Sequence, residues 1–314
     1  MHDDVLITII DAETDEIKNL RTESLIRFFV ISPDSSFILT GHQDGSINII
    51  TIIDTRTAKR LKPESSVSRF AIAPDSSFIF TGHQDGSINI INARTGKIAR
   101  RLKTGSSVWH TVISPDSSFI ATGHQDGSIN IINARARKKF ITESPVSRLI
   151  ISPDSSFIAT GHQDGSINII NARTDEVIKR LETGIPVSAL AISPDSNFIV
   201  TGHVNGSITT INVRTGEVKR LETGSWLKCL AISPDNSFIA TGHYDGSINI
   251  IDAKTGEIKR LNTGNTESNL AISPDSSFIV SGYQDGSVRF YKPVIKRIEP
   301  TNFLLSRIAS WFSS

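Results

Sequence analysis

The chain contains very little cysteine, methionine or tryptophan, and it has no long uninterrupted apolar run. Cys229 is the one cysteine among 314 residues, which excludes an intramolecular disulfide framework and argues against a zinc site built on cysteine. No stretch of about 18 apolar residues occurs, and the acidic start at residues 1–4 does not resemble a secretory signal. These absences favour a cytoplasmic protein in a reducing compartment. The formal net charge of +1 gives no overall field that would attract nucleic acid.

The dominant feature of the sequence is an internal repeat with a period of about 40 residues. Its Pro-Asp dipeptide begins at Pro33, Pro74, Pro115, Pro153, Pro194, Pro234 and Pro274. Repeats of this period form either closed propellers or open solenoids, whose end units carry polar outer faces. Neither terminal unit has the composition of such a cap, so the seven units predict a closed ring.

Each unit contains four short β-like runs separated by turn residues. In the second unit these runs are 67–73, 78–83, 87–93 and 97–102, and Asp85 with Gly86 is a strong hairpin signal. No unit contains the pattern of a long helix. A four-stranded sheet cannot cover both of its own faces, whereas sheets arranged radially cover one another. The sequence therefore predicts an all-β protein, a seven-bladed β-propeller of four-stranded antiparallel blades.

The repeating unit resembles a WD40 repeat. Residues 187–195 are similar to the innermost strand of that family and the turn that follows it, and residues 241–252 are similar to the second and third strands. The resemblance spans residues 5 to 292 and implies a WD40-like propeller domain over residues 1–299. The Trp-Asp pair of the family is replaced, for example by Ile91 and Asn92, and its Gly-His pair before the innermost strand is absent.

Six histidines occupy equivalent positions, and Tyr283 takes the seventh. They are His42, His83, His124, His162, His203 and His243. Histidine is a common metal ligand, and metal or anion binding is the alternative interpretation. However, there is one histidine per blade, and neighbouring blades diverge away from the axis. We therefore expect each ring to hydrogen-bond near the Asp-Gly turn and partly replace the missing family histidine.

The aspartates of the Asp-Gly turns and the basic residues of the rim are interpreted in the same way. Neighbouring carboxylates can carry out acid–base chemistry, but here they recur as turn residues, which favours a structural role. Basic residues such as Arg94 and Arg173 could bind phosphate, but glutamates such as Glu182 and Glu217 are interleaved along the chain. A solvated rim of mixed charge is the interpretation we adopt.

The units differ mainly in the loop before the innermost strand and in the first residues of that strand. In the WD40 architecture this loop lies on one face, near the mouth of the central channel. Drift in a tolerant loop is the alternative, but the Asp-Gly turns barely vary, and Trp and Arg are favoured anchors of protein interfaces. The predicted partner-binding residues are Arg27, Phe28, Arg69, Trp109, His110, Arg148, Pro186, Trp226 and Lys228.

Both ends of the chain depart from the repeat. The N-terminal segment 5–22 is predicted to close the ring, because residues 16–20 could supply the outer strand that the seventh unit lacks. A strand from residues 294–298 and a truncated eighth blade are the alternatives.

The C-terminal residues 300–314 form a predicted amphipathic tail with a short helix. Its apolar residues are Phe303, Leu304, Ile308, Trp311 and Phe312. The tail could dock on the propeller itself, in a groove of a partner or on a membrane surface, and the first two are favoured because only Arg307 is basic within the helix.

The function predicted from these features is a non-catalytic protein–protein interaction scaffold without a cofactor or metal. An active site needs different groups in fixed roles, whereas near-identical blades supply the same groups seven times. We expect a monomeric propeller within a complex with protein partners. The alternatives are a structural subunit attached through the tail, and a propeller that binds a small ligand or acts as an enzyme.

Overall fold

The computed structural model describes residues 5–10, 17–22, 24–51, 58–133, 137–264, 267–283 and 287–293. Every regular element within these ranges is a β-strand. The strands form six four-stranded antiparallel sheets, one three-stranded sheet and one two-stranded hairpin. The predicted all-β, seven-bladed propeller is confirmed, whereas the predicted tail helix falls in residues 300–314, outside the described residues.

Within each sheet the strands follow one another in chain order from the innermost outwards. The innermost strands are β3 (Ile26–Ile31), β7 (Val67–Ile72), β11 (Val108–Ile113), β15 (Val146–Ile151), β19 (Val187–Ile192), β23 (Leu227–Ile232) and β27 (Glu267–Ile272). The second strands are β4 (Phe37–His42), β8 (Phe78–His83), β12 (Phe119–His124), β16 (Phe157–His162), β20 (Phe198–His203), β24 (Phe238–His243) and β28 (Ile279–Tyr283).

The third strands are β5 (Ile47–Thr51), β9 (Ser87–Asn92), β13 (Ser128–Asn133), β17 (Ser166–Asn171), β21 (Ser207–Asn212), β25 (Ser247–Asp252) and β29 (Val288–Tyr291). The outer strands are β6 (Ala58–Leu61), β10 (Ile98–Lys103), β14 (Arg137–Ile141), β18 (Val177–Glu182), β22 (Val218–Glu222) and β26 (Ile258–Asn262). Sheets are numbered 1 to 7 in chain order, from β3–β6 to β27–β29. The hairpin consists of β1 (Val5–Ile10) and β2 (Ile17–Thr22).

Burial falls from the second strand to the outer strand of a sheet. Strand β12 is buried at every position, because neighbouring sheets cover both of its faces. Its first three residues, Phe119, Ile120 and Ala121, are accordingly all apolar, and the polar Thr122 and His124 are buried in a hydrogen bond with each other. Strand β10 is exposed along almost its whole length and carries three basic residues, which protect the outer edge from pairing with other chains.

The Asp-Gly and Pro-Asp turns are both held by an aspartate that accepts hydrogen bonds two residues ahead. The Oδ1 atom of Asp85 accepts from the backbone N–H and the hydroxyl of Ser87, at 2.9 and 2.7 Å. Asp75 accepts from Ser77 in the same way, at 3.0 and 2.6 Å. Gly86, between Asp85 and Ser87, has a backbone φ of +77°, a conformation that favours glycine. The predicted structural role of the turn aspartates is therefore confirmed at these positions.

A glycine in the second strand of sheets 2 to 5 allows the next sheet to approach closely. A Cβ atom on Gly161 would lie 2.5 Å from Cγ1 of Val187, the first residue of the next innermost strand. Gly82 and Gly123 meet the next sheet in the same way. The glycine of the Thr-Gly-His motif is therefore required by packing between sheets.

The faces of sheets 1 and 7 that correspond to such an interface are not packed. In sheet 6, Ile250 is buried against Leu270 of sheet 7. Phe290 of sheet 7 has the position of Ile250, and Phe29 of sheet 1 has the position of Leu270. These two side chains are 69% and 70% exposed. Among the described residues, no atom lies within 4 Å of a Cβ built on Gly282. We call these two faces, which carry Phe29 and Ile31 in sheet 1 and Val288 and Phe290 in sheet 7, the seam.

The N-terminal hairpin has the register of a third and an outer strand, as the sequence predicts. Ile7 pairs with Leu20 and Ile10 with Ile17, which matches the pairing of Ile208 with Leu221 and of Ile211 with Val218 in sheet 5. Within the described residues, β1 and β2 pair only with each other. Closure of the ring by residues 5–22 stays a prediction, and the competing segment 294–298 lies outside the described residues.

Candidate partner-binding face

Every innermost strand begins with a β-bulge. In sheet 2, Val67 pairs with His83 and Arg69 with Gly82, which leaves Ser68 without a partner across the strand pair. The same shift occurs in all seven sheets. The bulge residues are Arg27, Ser68, Trp109, Ser147, Ser188, Lys228 and Ser268. A bulge redirects side chains, so the positions that vary between the units lie where the backbone departs from regular pairing.

A serine in the bulge joins its sheet to the next one. The hydroxyl of Ser147 lies 2.9 Å from the carbonyl oxygen of Gly161 in its own sheet and 2.9 Å from that of Val187 in the next. Ser68 makes the same contacts, at 3.0 and 2.7 Å. At Trp109 and Lys228 a large side chain replaces this serine. The hydroxyl that joins two sheets is therefore lost, and an indole or an ammonium group takes its place.

Sheet 6 carries three non-repeating side chains in contact. The rings of Trp226 and Tyr244 have centroids 5.0 Å apart, and the Nζ atom of Lys228 lies 5.3 Å from the centroid of Tyr244. Trp226 is 51% exposed and Tyr244 is 49% exposed. We call these three residues the aromatic patch.

Tyr244 was missed by the sequence prediction. It lies next to the Asp-Gly turn, which appeared to be nearly constant among the units. A signal was nevertheless present, because five of the units have glutamine at this position: Gln43, Gln84, Gln125, Gln163 and Gln284.

Arg69, His110 and Arg148 lie on the innermost strands of three successive sheets, and we call them the channel cluster. The Nη1 atom of Arg148 donates to the carbonyl oxygen of Ser147 at 2.7 Å. Burial, reinforced by the positive charges of Arg148 and Arg69, lowers the pKa of His110 to about 4. Partial desolvation and the charge of Arg69 lower the pKa of Arg148.

The remaining predicted residues are placed separately. Arg27 and Pro186 are exposed, and Trp109 is half-buried. The carbonyl oxygen of Pro186 accepts a hydrogen bond from the backbone N–H of Val204 at 3.3 Å. The side chain of Phe28 and the five tail residues from Phe303 to Phe312 lie outside the described part of the chain.

Comparison with protein families matches the description "WD domain, G-beta repeat" seven times, over residues 16–50, 56–92, 96–133, 137–171, 177–209, 217–252 and 260–292. The chain belongs to the WD40-repeat family. WD40 repeats generally mediate protein–protein interactions, and WD40 propellers are typically non-enzymatic scaffolds. No curated protein matches the chain in sequence. The first match begins in the hairpin and includes β2, whereas β1 lies outside all seven matches.

The histidines of this WD40 propeller have a structural role, but their contacts differ from those predicted. The Nε2 atom of His83 accepts from the amide of Asn89 at 3.0 Å and lies 2.9 Å from the hydroxyl oxygen of Thr81. Its Nδ1 atom faces the carbonyl oxygen of Ser65 at 2.9 Å, in the loop before the innermost strand rather than in the Asp-Gly turn. These contacts require a neutral ring protonated on Nδ1.

The seventh blade has different side chains at the positions of this network. Tyr283 replaces the histidine, and its hydroxyl lies 2.6 Å from that of Tyr291. The guanidinium of Arg289 lies 4.9 Å from the centre of the Tyr283 ring and donates to the carbonyl oxygen of Thr263 at 2.8 Å. The seventh blade of the WD40 ring therefore has no titratable histidine at this position.

Other features that could indicate chemistry give no second site among the residues that the structure describes. Within the described ranges, no group of three or more His, Cys, Asp or Glu side chains could hold a metal ion. The described part also lacks a helix long and apolar enough to cross a membrane. Cavities of about 330 and 290 Å³ lie between sheets 1 and 2 and between sheets 2 and 3, beside the Pro-Asp turns. They are lined largely by residues of the repeat.

Proposed function

We propose that this WD40 propeller is a non-catalytic scaffold that binds a protein partner on the face formed by the loops before the innermost strands. The aromatic patch carries the proposal. Three positions that hold small or amide side chains in most units hold Trp226, Lys228 and Tyr244 in one unit. Because the three side chains touch, independent drift is a weaker explanation than a shared binding role.

The patch has the properties of an interface anchor. Trp and Tyr provide a large contact area with few rotatable bonds, and they are enriched among residues that dominate binding energy. The contact between Trp226 and Tyr244 holds both rings in place before a partner arrives, which reduces the entropy lost on binding. Lys228 adds a positive charge, so the partner segment should combine an apolar side chain with an acidic one.

The other predicted residues extend this contact around the same face. Arg27, Trp109 and Pro186 occupy equivalent loop and bulge positions in other sheets, and Phe28 has the corresponding strand position in sheet 1. As part of the same proposal, the chain acts as a single propeller within a larger complex, in which the tail could make a second contact.

The test replaces the patch with side chains that other units have at these positions. The variant Trp226→Ser/Tyr244→Gln should fold normally and lose the partners that the unchanged chain captures from cell extract. Ile141→Thr is the matched control, because it removes an exposed apolar side chain from an outer strand, away from the patch. The proposal fails if the double variant retains every identified partner with unchanged affinity, measured with the purified proteins.

A further inference from the structure

We propose that Arg69, His110 and Arg148 form an oxyanion-binding site on the wall of the central channel, which receives a carboxylate or phosphate group carried by the partner. This inference rests on the proposed function and adds the chemistry of the group that enters the channel.

The three side chains lie at the same level of neighbouring strands. Arg69, His110 and Arg148 each pair with the glycine before the buried histidine, and their innermost strands β7, β11 and β15 contact one another in that order. The next three sheets have Ala189, Cys229 and Asn269 at this position. The positive charge is thus confined to sheets 2 to 4, on one side of the channel. Smaller, uncharged side chains occupy the same position in sheets 5 to 7.

Both guanidinium groups are held in place but not neutralised. Arg69 donates to the carbonyl oxygen of Ser68 at 2.7 Å, and Arg148 donates to that of Ser147 at 2.7 Å. Each guanidinium has five N–H donors, so these bonds leave most of them available. Among the described residues, no carboxylate forms an ion pair with either arginine. Within the described ranges, the two positive charges therefore lie together without a counter-ion.

His110 lies between the two arginines in the order of the innermost strands, and its strand β11 contacts β7 and β15. Burial and the positive charges of Arg148 and Arg69 oppose protonation of its ring. A bound oxyanion would reverse that effect and favour the protonated ring. Arginine pairs bind carboxylates and phosphates through paired N–H donors, and these charge-assisted hydrogen bonds are stronger than neutral ones.

A purely structural role predicts the opposite effect of substitution. If the arginines only supported the fold, their removal would destabilise the protein. Uncompensated like charges instead cost stability, as is common where a site is arranged for a ligand. The variant Arg69→Gln/Arg148→Gln should therefore be at least as resistant to urea as the unchanged protein, while losing affinity for oxyanions.

The experiment titrates the full chain with inorganic phosphate and, separately, with succinate at pH 7.5 and constant ionic strength, by calorimetry. Binding of either probe should weaken by about tenfold or more in Arg69→Gln/Arg148→Gln, because two charge-assisted contacts are lost. The control variant Arg94→Gln/Arg173→Gln removes two exposed arginines of the rim and should bind normally. In the unchanged protein, nuclear magnetic resonance should show that the bound probe raises the pKa of His110.

Each outcome has a defined meaning. Tighter binding of phosphate assigns a phosphorylated group, and tighter binding of succinate assigns an acidic side chain. The site is disproved if neither probe binds, if the double variant binds both as before, or if that variant is markedly less stable. Trp226→Ser/Tyr244→Gln should still bind the probes. A failed partner capture would therefore count against the scaffold function alone, and a failed titration against this site alone.

Discussion

The Nδ1 atom of His83 lies 2.9 Å from the backbone carbonyl oxygen of Ser65, and this contact joins the end of a second strand to the loop before the innermost strand. The same contact occurs at His124, His162, His203 and His243. At His83, His124, His162 and His243 the Nε2 atom accepts from an asparagine amide, so protonation there would direct an N–H at another donor. The loops of the proposed partner-binding face therefore depend on neutral histidines.

We expect the free energy of unfolding to fall steeply as the pH decreases from 6.5 to 5.5. Burial lowers the pKa of His83, His124, His162, His203 and His243 from the ordinary value of 6.5. Below that value the unfolded chain binds protons that the folded chain does not, so stability is lost as the pH falls. Each histidine contributes up to about 1.4 kcal/mol per pH unit. Urea denaturation at pH 7.5, 6.5 and 5.5 measures the slope.

The aspartates act in a separate and more acidic range. Burial alone would raise the pKa of Asp235, but hydrogen bonds from Ser237 and Ser233 outweigh it and lower that pKa from 3.8 to about 2. The stability that this carboxylate contributes is therefore present above pH 3.8 and lost on acidification towards the folded pKa. The control for the histidine prediction is His203→Gln, which should lower the free energy of unfolding at pH 7.5. It should also make the fall of that free energy between pH 6.5 and 5.5 shallower by the contribution of one histidine. An unchanged slope would contradict this account.

Replacing Asn236 with serine should stabilise the protein by about 1 kcal/mol through one new hydrogen bond. The third residue of each Pro-Asp turn has a φ near +60°, and in six of the seven units it is serine. The hydroxyl of Ser155, for example, accepts from the backbone N–H of Asp116 in the preceding sheet, at 3.3 Å. Asn236 instead has a buried Oδ1 atom that finds no hydrogen-bond partner in the described part of the chain. Urea denaturation measures the change.

The reverse substitution is the matched control. Ser155→Asn keeps a residue that tolerates positive φ but removes the hydroxyl that joins two sheets. It should destabilise the protein by a similar amount. If both substitutions were neutral, the hydrogen bond between neighbouring turns would have no measurable effect on stability.

Gly161→Ala should destabilise the protein by about 1–3 kcal/mol, because overpacking an interior forces the surrounding atoms to move. The new methyl group would lie 2.5 Å from Cγ1 of Val187. Gly282→Ala is the control at the equivalent position of sheet 7, where no described atom lies within 4 Å of the new methyl group, so it should have little effect. Neither glycine has positive φ, so backbone strain does not differ between them. Equal losses would show that sheets 1 and 7 pack together.

The sequence predicted the repeat, the four strands of each unit and the turns, because these depend on local residue patterns. It did not predict the bulge at Ser68, since the register of β7 is determined by β8 and not by β7 itself. The partner of His83 lies 18 residues earlier in the chain, and no local pattern indicates it. The grouping of Arg69 with Arg148 likewise depends on packing between sheets.

Removing residues 1–10 should stabilise the protein, whereas removing residues 1–22 should not. Strand β1 occupies the place of a third strand beside β2, and β29 is the third strand of sheet 7. To complete a blade, β1 and β29 would each have to pair with the same edge of β2. In this structure β1 pairs with that edge. Without β1, β2 becomes free to pair with β29 and close the ring, as the sequence predicts for residues 16–20.

Closure would bury the seam. Burial of Phe29 and Phe290 contributes about 1.5–3 kcal/mol for each side chain, so the chain lacking residues 1–10 should require more urea to unfold. In that background Gly282→Ala should become as costly as Gly161→Ala, because sheet 1 would then pack against Gly282. If the two truncated chains were equally unstable, or if Gly282→Ala stayed neutral in both, β2 would not be the strand that closes the ring.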